Sequence, residues 1–154
     1  RQFEAIASAE CDPLLSSAES EQTFLRSKLD FAERQRHPGT YQLHRDLLQL
    51  RRQDPVFSNP RPGGLEGAVL GPQAFALRFF GVQGEDRLLL VNLGLDLRLQ
   101  PLPEPLLAPV RGGHWRLAWS SEAPRYGGCG TPVIEKHGAW RILGHAAVVL
   151  ASQA

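Results

Sequence analysis

The side chain most able to act as a nucleophile in this sequence, Cys129, lies in a glycine-rich segment. Residues 126–130 read Tyr-Gly-Gly-Cys-Gly. A thiol in such a turn can lie near backbone N–H donors, and His137 could serve as its base, so Cys129 is a candidate nucleophile. The same spacing of glycines is typical of a tight turn that requires positive φ, in which Cys129 is incidental. The turn is the interpretation that we favour.

The other reactive side chains show no catalytic or metal-binding spacing. Phosphate-loop, dinucleotide-binding, zinc-protease, nucleophile-elbow and paired Cys-x-x-Cys motifs do not occur in the sequence. No carboxylate lies in the apolar setting that would raise its pKa for acid catalysis. The sequence therefore predicts no catalytic residue, no metal site and no cofactor. The five histidines are expected at the surface or in turns: His37, His44, His114, His137 and His145.

Aromatic rings offer a different chemistry, because an exposed flat ring can stack on a sugar. Trp115, Leu117 and Trp119 alternate with smaller or polar residues and are predicted to share one face of a strand, a pattern that favours the core. Trp140 stands at the start of another predicted strand and is the more plausible exposed ring. Trp140 and Tyr126 are therefore the candidate sugar-contacting residues.

One amphipathic helix is predicted over about residues 40–53, because large apolar side chains recur there at helical spacing. Thr40 is the expected cap at its start, and Asp54-Pro55 should end it, since the residue before a proline is disfavoured in the helical region. If the apolar face stays uncovered, the chain could self-associate through Leu43, Leu47 and Leu50. The residues expected on that face are Tyr41, Leu43, Leu47, Leu48 and Leu50.

Beyond residue 65 the hydrophobic pattern changes to the two-residue period of β-strands. Glycines or prolines separate most of these segments, as in antiparallel sandwiches and barrels. The predicted fold is mainly β, an antiparallel β-sandwich of seven or eight strands preceded by an amphipathic α-helix. The predicted strands lie near residues 67–70, 75–79, 88–91, 95–99, 106–110, 115–119, 139–143 and 146–150.

Composition limits the partners and the compartment. A net charge of +1 gives no field that would favour nucleic acid or an anionic membrane, and 42% hydrophobic with 21% charged residues is typical of a globular chain. The apolar runs are strand-sized, well short of the roughly 20 residues that span a bilayer. Cys11 and Cys129 form no disulfide framework, so a soluble, cytoplasmic protein is predicted. Because the sequence begins at Arg1 and has no methionine, we expect it to be part of a longer polypeptide.

Several segments together resemble the C-terminal region of the maltooligosyltrehalose trehalohydrolases of the α-amylase superfamily. These segments are residues 23–31 with their Ser-Lys-Leu-Asp element, residues 43–55 with their Leu-Arg-Arg run before a proline, residues 89–93 with Val-Asn, and residues 119–128. The resemblance implies that residues 1–57 end a catalytic barrel with its last helix, that 58–64 are a linker, and that 65–154 form a β-sandwich C-terminal domain.

The resemblance also implies a function. The parent would hydrolyse the α-1,4 bond next to the terminal trehalose unit, using carboxylates outside this chain, so the chain alone would be non-catalytic. Its partner would be the missing barrel of the same polypeptide, with possible α-glucan contact. The alternatives are the C-terminal domain of another superfamily enzyme, such as a branching enzyme, an independent carbohydrate-binding module, and a protein-interaction domain without any connection to sugars.

Overall fold

The computed structural model describes residues 20–100 and 103–153, which fall into two units that divide between Arg36 and His37. The first unit contains two short helices, α1 (Glu21–Ser27) and α2 (Glu33–Arg36). Ser20 caps α1 by accepting a hydrogen bond from the Gln22 N–H. Cys11 lies outside the described residues.

The second unit begins with helix α3 (Pro38–Gln53) and the single turn α4 (Pro55–Ser58), and the rest of it is β structure. The predicted helix is confirmed, although it starts at Pro38 and its capping position is taken by His37 rather than Thr40. Asp54 ends α3 as expected, and its side chain caps α4 by accepting from the Val56 N–H. The strands are β1 (Leu65–Gly71), β2 (Ala74–Phe79), β3 (Arg87–Asn92), β4 (Leu97–Leu99), β5 (His114–Ser120), β6 (Glu135–Lys136), β7 (Ala139–Ile142) and β8 (Ala146–Gln153).

The strands form two antiparallel sheets, which confirms the predicted β-sandwich class. One sheet has five strands in the order β1-β2-β3-β8-β5, and the other has three in the order β4-β7-β6. The fully buried side chains Leu88, Leu90, Ile142 and Val148 come from both sheets, so the core lies between them. Among the described residues, no helix is both long and apolar enough to cross a membrane.

One predicted strand is wrong. The segment near 106–110 instead contains two 3₁₀ turns, Pro105–Leu107 and Val110–Gly112. Pro105 and Pro109 have no backbone N–H to donate to a strand ladder, and this explains why the apolar run does not pair. The two-residue strand β6, which carries too few residues to show a period, was not predicted.

Strand β5 contains a bulge that separates its two tryptophans. Leu117 pairs with Leu150, but Trp119 pairs with Val149, so the register shifts between Leu117 and Trp119. An extra residue in one strand reverses the alternation of faces beyond it. Trp115 consequently packs against the core between the sheets, whereas Trp119 is buried on the opposite face of the five-stranded sheet. The prediction that both rings share one face is therefore wrong.

A buried ion pair holds the segment between β4 and β5 against the sandwich. Arg78 and Asp86 lie 2.9 Å apart, with only 8% and 5% of their side chains exposed. Arg78 also donates to the carbonyl oxygens of Leu106, at 3.0 Å, and Ala108, at 2.7 Å. The other carboxylate oxygen of Asp86 accepts from the Gly81 N–H at 2.9 Å. Both charged groups thus have several hydrogen-bond partners, which a buried pair requires.

A single buried amide joins the two sheets. Asn92, 2% exposed at the end of β3, donates to the carbonyl oxygens of Leu95, at 2.7 Å, and Leu143, at 3.0 Å. A longer bond reaches the carbonyl oxygen of Ile142, at the end of β7. The amide oxygen accepts from the Gly94 N–H at 3.0 Å. Asn92 therefore ties the end of one sheet to the turn that leaves the other.

Candidate interface

Helix α3 has two apolar strips on opposite sides. Leu43, Leu47 and Leu50 are half-buried, whereas Tyr41 and Leu48 are 44% and 50% exposed. At 100° per residue, the first three point roughly opposite to the last two. The five apolar residues that were predicted to share one face are thus divided between an inward face and an outward face, and no residue of α3 is fully buried.

A chain of hydrogen bonds joins the middle of α3 to the sandwich. The Trp119 indole N–H donates to the Tyr126 hydroxyl at 3.1 Å, and the Tyr126 hydroxyl donates to the Asp46 carboxylate at 2.5 Å. Arg125 forms an ion pair with the same Asp46 oxygen at 3.1 Å. The hydrogen bond from Tyr126 is the largest cause that lowers the pKa of Asp46 below its ordinary value.

The loop that carries Tyr126 is held by its own backbone. The Gly130 N–H donates to the Glu122 carbonyl oxygen at 2.8 Å, and Gly127 adopts a φ of 91°. A Cβ on Gly128 would lie 2.4 Å from that Glu122 oxygen, and one on Gly39 would lie 2.9 Å from the Tyr126 carbonyl oxygen. Because only glycine fits such approaches, these positions allow the loop to close on itself and α3 to lie against it.

A second group of contacts fixes the C-terminal end of α3 and the turn α4. Arg87 donates to the Asp54 carboxylate at 2.7 Å, and both side chains are less than one-fifth exposed. Phe57 packs edge-to-face against Phe79, with ring centroids 4.9 Å apart. Phe79 and Arg87 are register partners on the face of the five-stranded sheet that also carries Trp119. The segment from Asp46 to Phe57 thus lies over the outer face of this sheet.

The two predicted sugar-contacting residues differ in burial, since Trp140 is buried and Tyr126 is half-buried. Trp140 is 6% exposed and belongs to the core between the sheets, so the prediction that it is the exposed ring is wrong. Its place on β7 opposite Leu99 and Glu135 turns the ring inward, a consequence of the register that the sequence alone did not show. Tyr126 is half-buried, and its hydroxyl is engaged by Asp46 and Trp119. Sugar contact by either residue stays a prediction.

The candidate nucleophile lies on the surface. Cys129 is a free, exposed thiol in the glycine loop, and Gly127 and Gly130 both have positive φ, which agrees with the turn interpretation. His137 and His145 also have positive φ and lie in turns. Within residues 20–100 and 103–153, no group of three or more His, Cys, Asp and Glu side chains is placed to hold a metal ion.

Sequence reasoning missed Asp46, which binds Tyr126 and Arg125 where α3 meets the sandwich. A signal was present, because Asp46 is the one acidic residue between Pro38 and Gln53 and lies at helical spacing from Leu43 and Leu50. A carboxylate among the apolar residues of a helix indicates a specific partner on the facing surface. That partner, Tyr126, is far away in sequence and could not be named beforehand.

Changing Tyr126 to phenylalanine removes one donor from Asp46 and leaves the ring in place. We expect the pKa of Asp46 to rise toward its ordinary value in Tyr126→Phe, because the hydrogen bond that lowers it is lost. A carboxylate whose pKa is lower in the folded state stabilises the fold at pH values above its unfolded-state pKa. This stabilisation disappears as the pH falls through the folded-state pKa. Wild type should therefore lose more stability between about pH 5 and pH 3 than the variant does.

Carboxyl carbon NMR titration of Asp46, with parallel urea unfolding at each pH, measures both effects. Tyr41→Phe is the matched control, because it also removes one phenol hydroxyl from the second unit, and Tyr41 is not among the groups that shift the pKa of Asp46. An unchanged Asp46 titration in Tyr126→Phe would show that the hydroxyl does not act on this carboxylate.

Comparison with solved structures shows that this chain shares its fold with part of larger proteins. A trehalulose synthase MutB variant aligns over 82% of this chain and 20% of its own, with a TM-score of 0.52 and 15% identity. A second MutB variant, from crystals soaked with trehalulose, covers 80% of this chain and 20% of its own, with a TM-score of 0.55 and 14% identity. The MutB enzyme of this kind comes from Pseudomonas mesoacidophila. At such identity the likeness concerns the fold alone.

Residues 62–149 match a sequence family described as a domain of unknown function, DUF3459, and this chain belongs to that family. The sequence is also 46% identical over 83 residues to a malto-oligosyltrehalose trehalohydrolase from Deinococcus radiodurans. The matched region is 52% of this chain and 13% of that relative, so the likeness covers a small part of the relative's length. The resemblance to trehalohydrolases inferred from the sequence motifs is thereby confirmed.

Proposed function

We propose that the chain is the C-terminal accessory part of a glycoside hydrolase that resembles maltooligosyltrehalose trehalohydrolase. The parent would hydrolyse the α-1,4 bond next to the terminal trehalose unit, and this part would support its catalytic barrel without taking part in the chemistry. The observation that carries the proposal is the 46% identity to a trehalohydrolase, restricted to 13% of that relative. Residues 1–57 would end the barrel, with 58–64 as linker and 65–154 as the C-terminal domain.

The side chains support a non-catalytic role. Glycosidases place two carboxyl groups on either side of the scissile bond, one of them with a raised pKa. Asp86, the buried carboxylate among the described residues, is neutralised by Arg78. Asp46 and Asp96 have lowered pKa values, Asp46 chiefly through Tyr126 and Asp96 chiefly through the Gly144 N–H. A lowered pKa is opposite to what a general acid needs.

The aromatic residues favour support over sugar binding. A carbohydrate-binding module exposes several coplanar rings, whereas Trp119 and Trp140 are 8% and 6% exposed. Trp115 is half-buried and donates its indole N–H to the Leu107 carbonyl oxygen at 2.8 Å. The three tryptophans of the sandwich are therefore used in packing. For compartment we propose the cytoplasm, since a free surface thiol at Cys129 suits a reducing environment.

The test separates the parent's activity from that of the chain. Incubated with maltooligosyltrehalose, the full-length parent should release trehalose, and the isolated chain should release none above a buffer blank. Trehalose release by the chain that survives repurification would contradict the non-catalytic role. New α-1,6 branches formed by the parent on amylose would favour a branching enzyme. Saturable heat with maltoheptaose at sub-millimolar affinity, lost in Tyr126→Ala, would favour a binding module.

A further inference from the structure

Strand β5 forms one edge of the five-stranded sheet. It is the last strand in the order β1-β2-β3-β8-β5, and it pairs with β8 on its other side. It contains no proline, and its register with β8 is regular from His114 to Leu117, where the bulge begins. An edge strand presents a row of N–H and C=O groups with which a further strand can pair.

Two main-chain hydrogen bonds show how β8 divides its groups between its neighbours. The Ser152 N–H donates to the Asp86 carbonyl oxygen, next to β3, whereas the Ala147 carbonyl oxygen accepts from the Ser121 N–H, next to β5. Successive residues of a strand point their main-chain groups to opposite sides. The even-numbered residues of β8 therefore bond to β3, and the odd-numbered residues bond to β5.

The same division fixes the direction of the main-chain groups of β5. Arg116 is opposite the odd-numbered Ala151 and bonds to β8. Trp115 and Leu117 are opposite even-numbered residues, so their N–H and C=O groups point away from β8. Among the described residues, no backbone group bonds to them there. The free edge of β5 thus consists of the main-chain groups of Trp115 and Leu117.

An apolar hollow of about 290 Å³ lies beside this edge. Leu117 is opposite Leu150, a core residue, so its side chain is on the core-facing side of the sheet. Leu117 is 41% exposed and Val133, across the hollow, is 72% exposed. A side chain paired with Leu117 on an added strand would lie on the same side, at the hollow. The apolar residues of the lining are Trp115, Leu117, Pro132, Val133, Ile134 and Leu150.

The other side of the edge carries a positive charge. Arg116 alternates with Trp115 and Leu117, is exposed, and forms no ion pair within the part of the chain that the structure describes. A second copy of β5, paired antiparallel so that Trp115 meets Leu117, would place one Arg116 directly opposite the other. Like charges in directly opposite positions destabilise a pair of strands, so a second copy is a poor occupant.

We propose that the free edge of β5 binds an extended peptide segment of another protein, with alternate apolar and acidic side chains. The segment would pair antiparallel with residues 114–117 through the main-chain groups of Trp115 and Leu117. Its apolar side chains would enter the hollow, and an acidic side chain would be opposite Arg116. When a peptide adds a strand to a sheet in this way, main-chain bonds give affinity and the alternate side chains give specificity.

Amide hydrogen exchange of the 154-residue chain tests the free edge first. The Trp115 and Leu117 amides should exchange faster than the Arg116 amide by about tenfold or more, because the Arg116 N–H is bonded to β8. Slow exchange at Arg116 also reports that β5 is folded. Equal protection of all three amides would show that the edge is already paired, and the proposal would be wrong.

The binding experiment uses the capped peptide Thr-Glu-Leu-Glu-Val-Glu-Thr and two N-methylated forms of it, followed by amide NMR titration. N-methylation of Leu and Val removes the N–H groups that would face β5 and should weaken binding about thirtyfold, for two lost hydrogen bonds. N-methylation of two Glu residues alters N–H groups that point away from β5 and is the matched control. The peptide and this control should bind alike and slow exchange at Trp115 and Leu117.

A charge reversal in the chain tests the acidic part of the proposal. Arg116→Glu should weaken binding of the acidic peptide about three- to tenfold, and it should favour the same peptide with Lys in place of Glu. Arg98→Glu makes the same change in charge at an exposed position of β4, at the far edge of the other sheet, and is the control. This control should keep the preference of the wild type for the acidic peptide.

Each other outcome decides against a stated part of the inference. Equal binding of both N-methylated peptides, or no saturable shift with the unmodified one, would show that β5 does not accept a strand. Sensitivity to N-methylation without any effect of Arg116→Glu would mean that the edge pairs but the acidic partner is wrong. Protection of Trp115 and Leu117 that grows with protein concentration, without peptide, would make the occupant a second copy and overturn the proposal.

Discussion

Asp86→Ala should destabilise the second unit by about 3–5 kcal/mol, because it leaves the buried Arg78 guanidinium without its counter-charge. Arg78 would keep its bonds to the Leu106 and Ala108 carbonyl oxygens, but these dipoles do not neutralise a charge. Whole domains are stable by only about 5–15 kcal/mol, so a loss of this size removes a large share of the stability. Urea unfolding followed by tryptophan fluorescence measures the loss.

The pair as a whole should matter less than either half of it. The double variant Arg78→Met with Asp86→Leu removes both charges and should lose less stability than Asp86→Ala. Arg141→Ala, which breaks the exposed pair with Asp96, is the control and should unfold close to wild type. If Asp86→Ala is as stable as that control, the ion pair with Arg78 does not stabilise the second unit.

Asn92→Asp should be nearly as damaging, with a loss of roughly 3–5 kcal/mol at neutral pH. The amide nitrogen that donates to the Leu95 and Leu143 carbonyl oxygens would become a carboxylate oxygen facing the same acceptors. Those oxygens would raise the pKa of the introduced group, so the folded state would take up a proton more readily than the unfolded state. The loss should therefore shrink as pH falls.

Denaturant unfolding of Asn92→Asp at about pH 7 and about pH 4 tests both parts of this expectation. Asn59→Asp supplies the control, since Asn59 is exposed and its amide bonds at 3.2 and 3.3 Å are long. A loss that is equal at both pH values would mean that the damage comes from altered packing rather than from the buried charge.

The strand segments could be predicted where periodicity and turns agree. Segments 75–79 and 88–91 show alternation or an apolar run between glycine, proline or asparagine turns, and both lie in strands. Which face of β2 is turned to the core could not be predicted from the sequence. Ala74, Ala76 and Arg78 face the core there, and the larger Phe75 and Phe79 lie on the outer face. Both faces of this strand are covered by other parts of the fold. The alternation of residues does not show which face meets the other sheet and which meets the helix.

The contact between helix α3 and the sandwich could not be predicted from the sequence for a related reason. Asp46 and Tyr126 are separated by eighty positions, and neither belongs to a motif that would pair them. The bulge in β5 that brings Trp119 onto the outer face has no glycine to mark it. Long-range pairing and local register breaks depend on tertiary packing, which outweighs the local preferences of a segment.

The attachment of α3 at both ends has a consequence for module exchange. Asp46 binds Tyr126, and Asp54, which ends the helix, binds Arg87 on the sheet. A chimera joined within residues 58–64 would give the sandwich a foreign helix and expose the outer face around Trp119 and Phe79. A chimera joined ahead of Pro38 would transplant helix and sandwich together with both attachments intact. A segment transplanted with both attachments intact therefore begins at the helix, where the second unit begins.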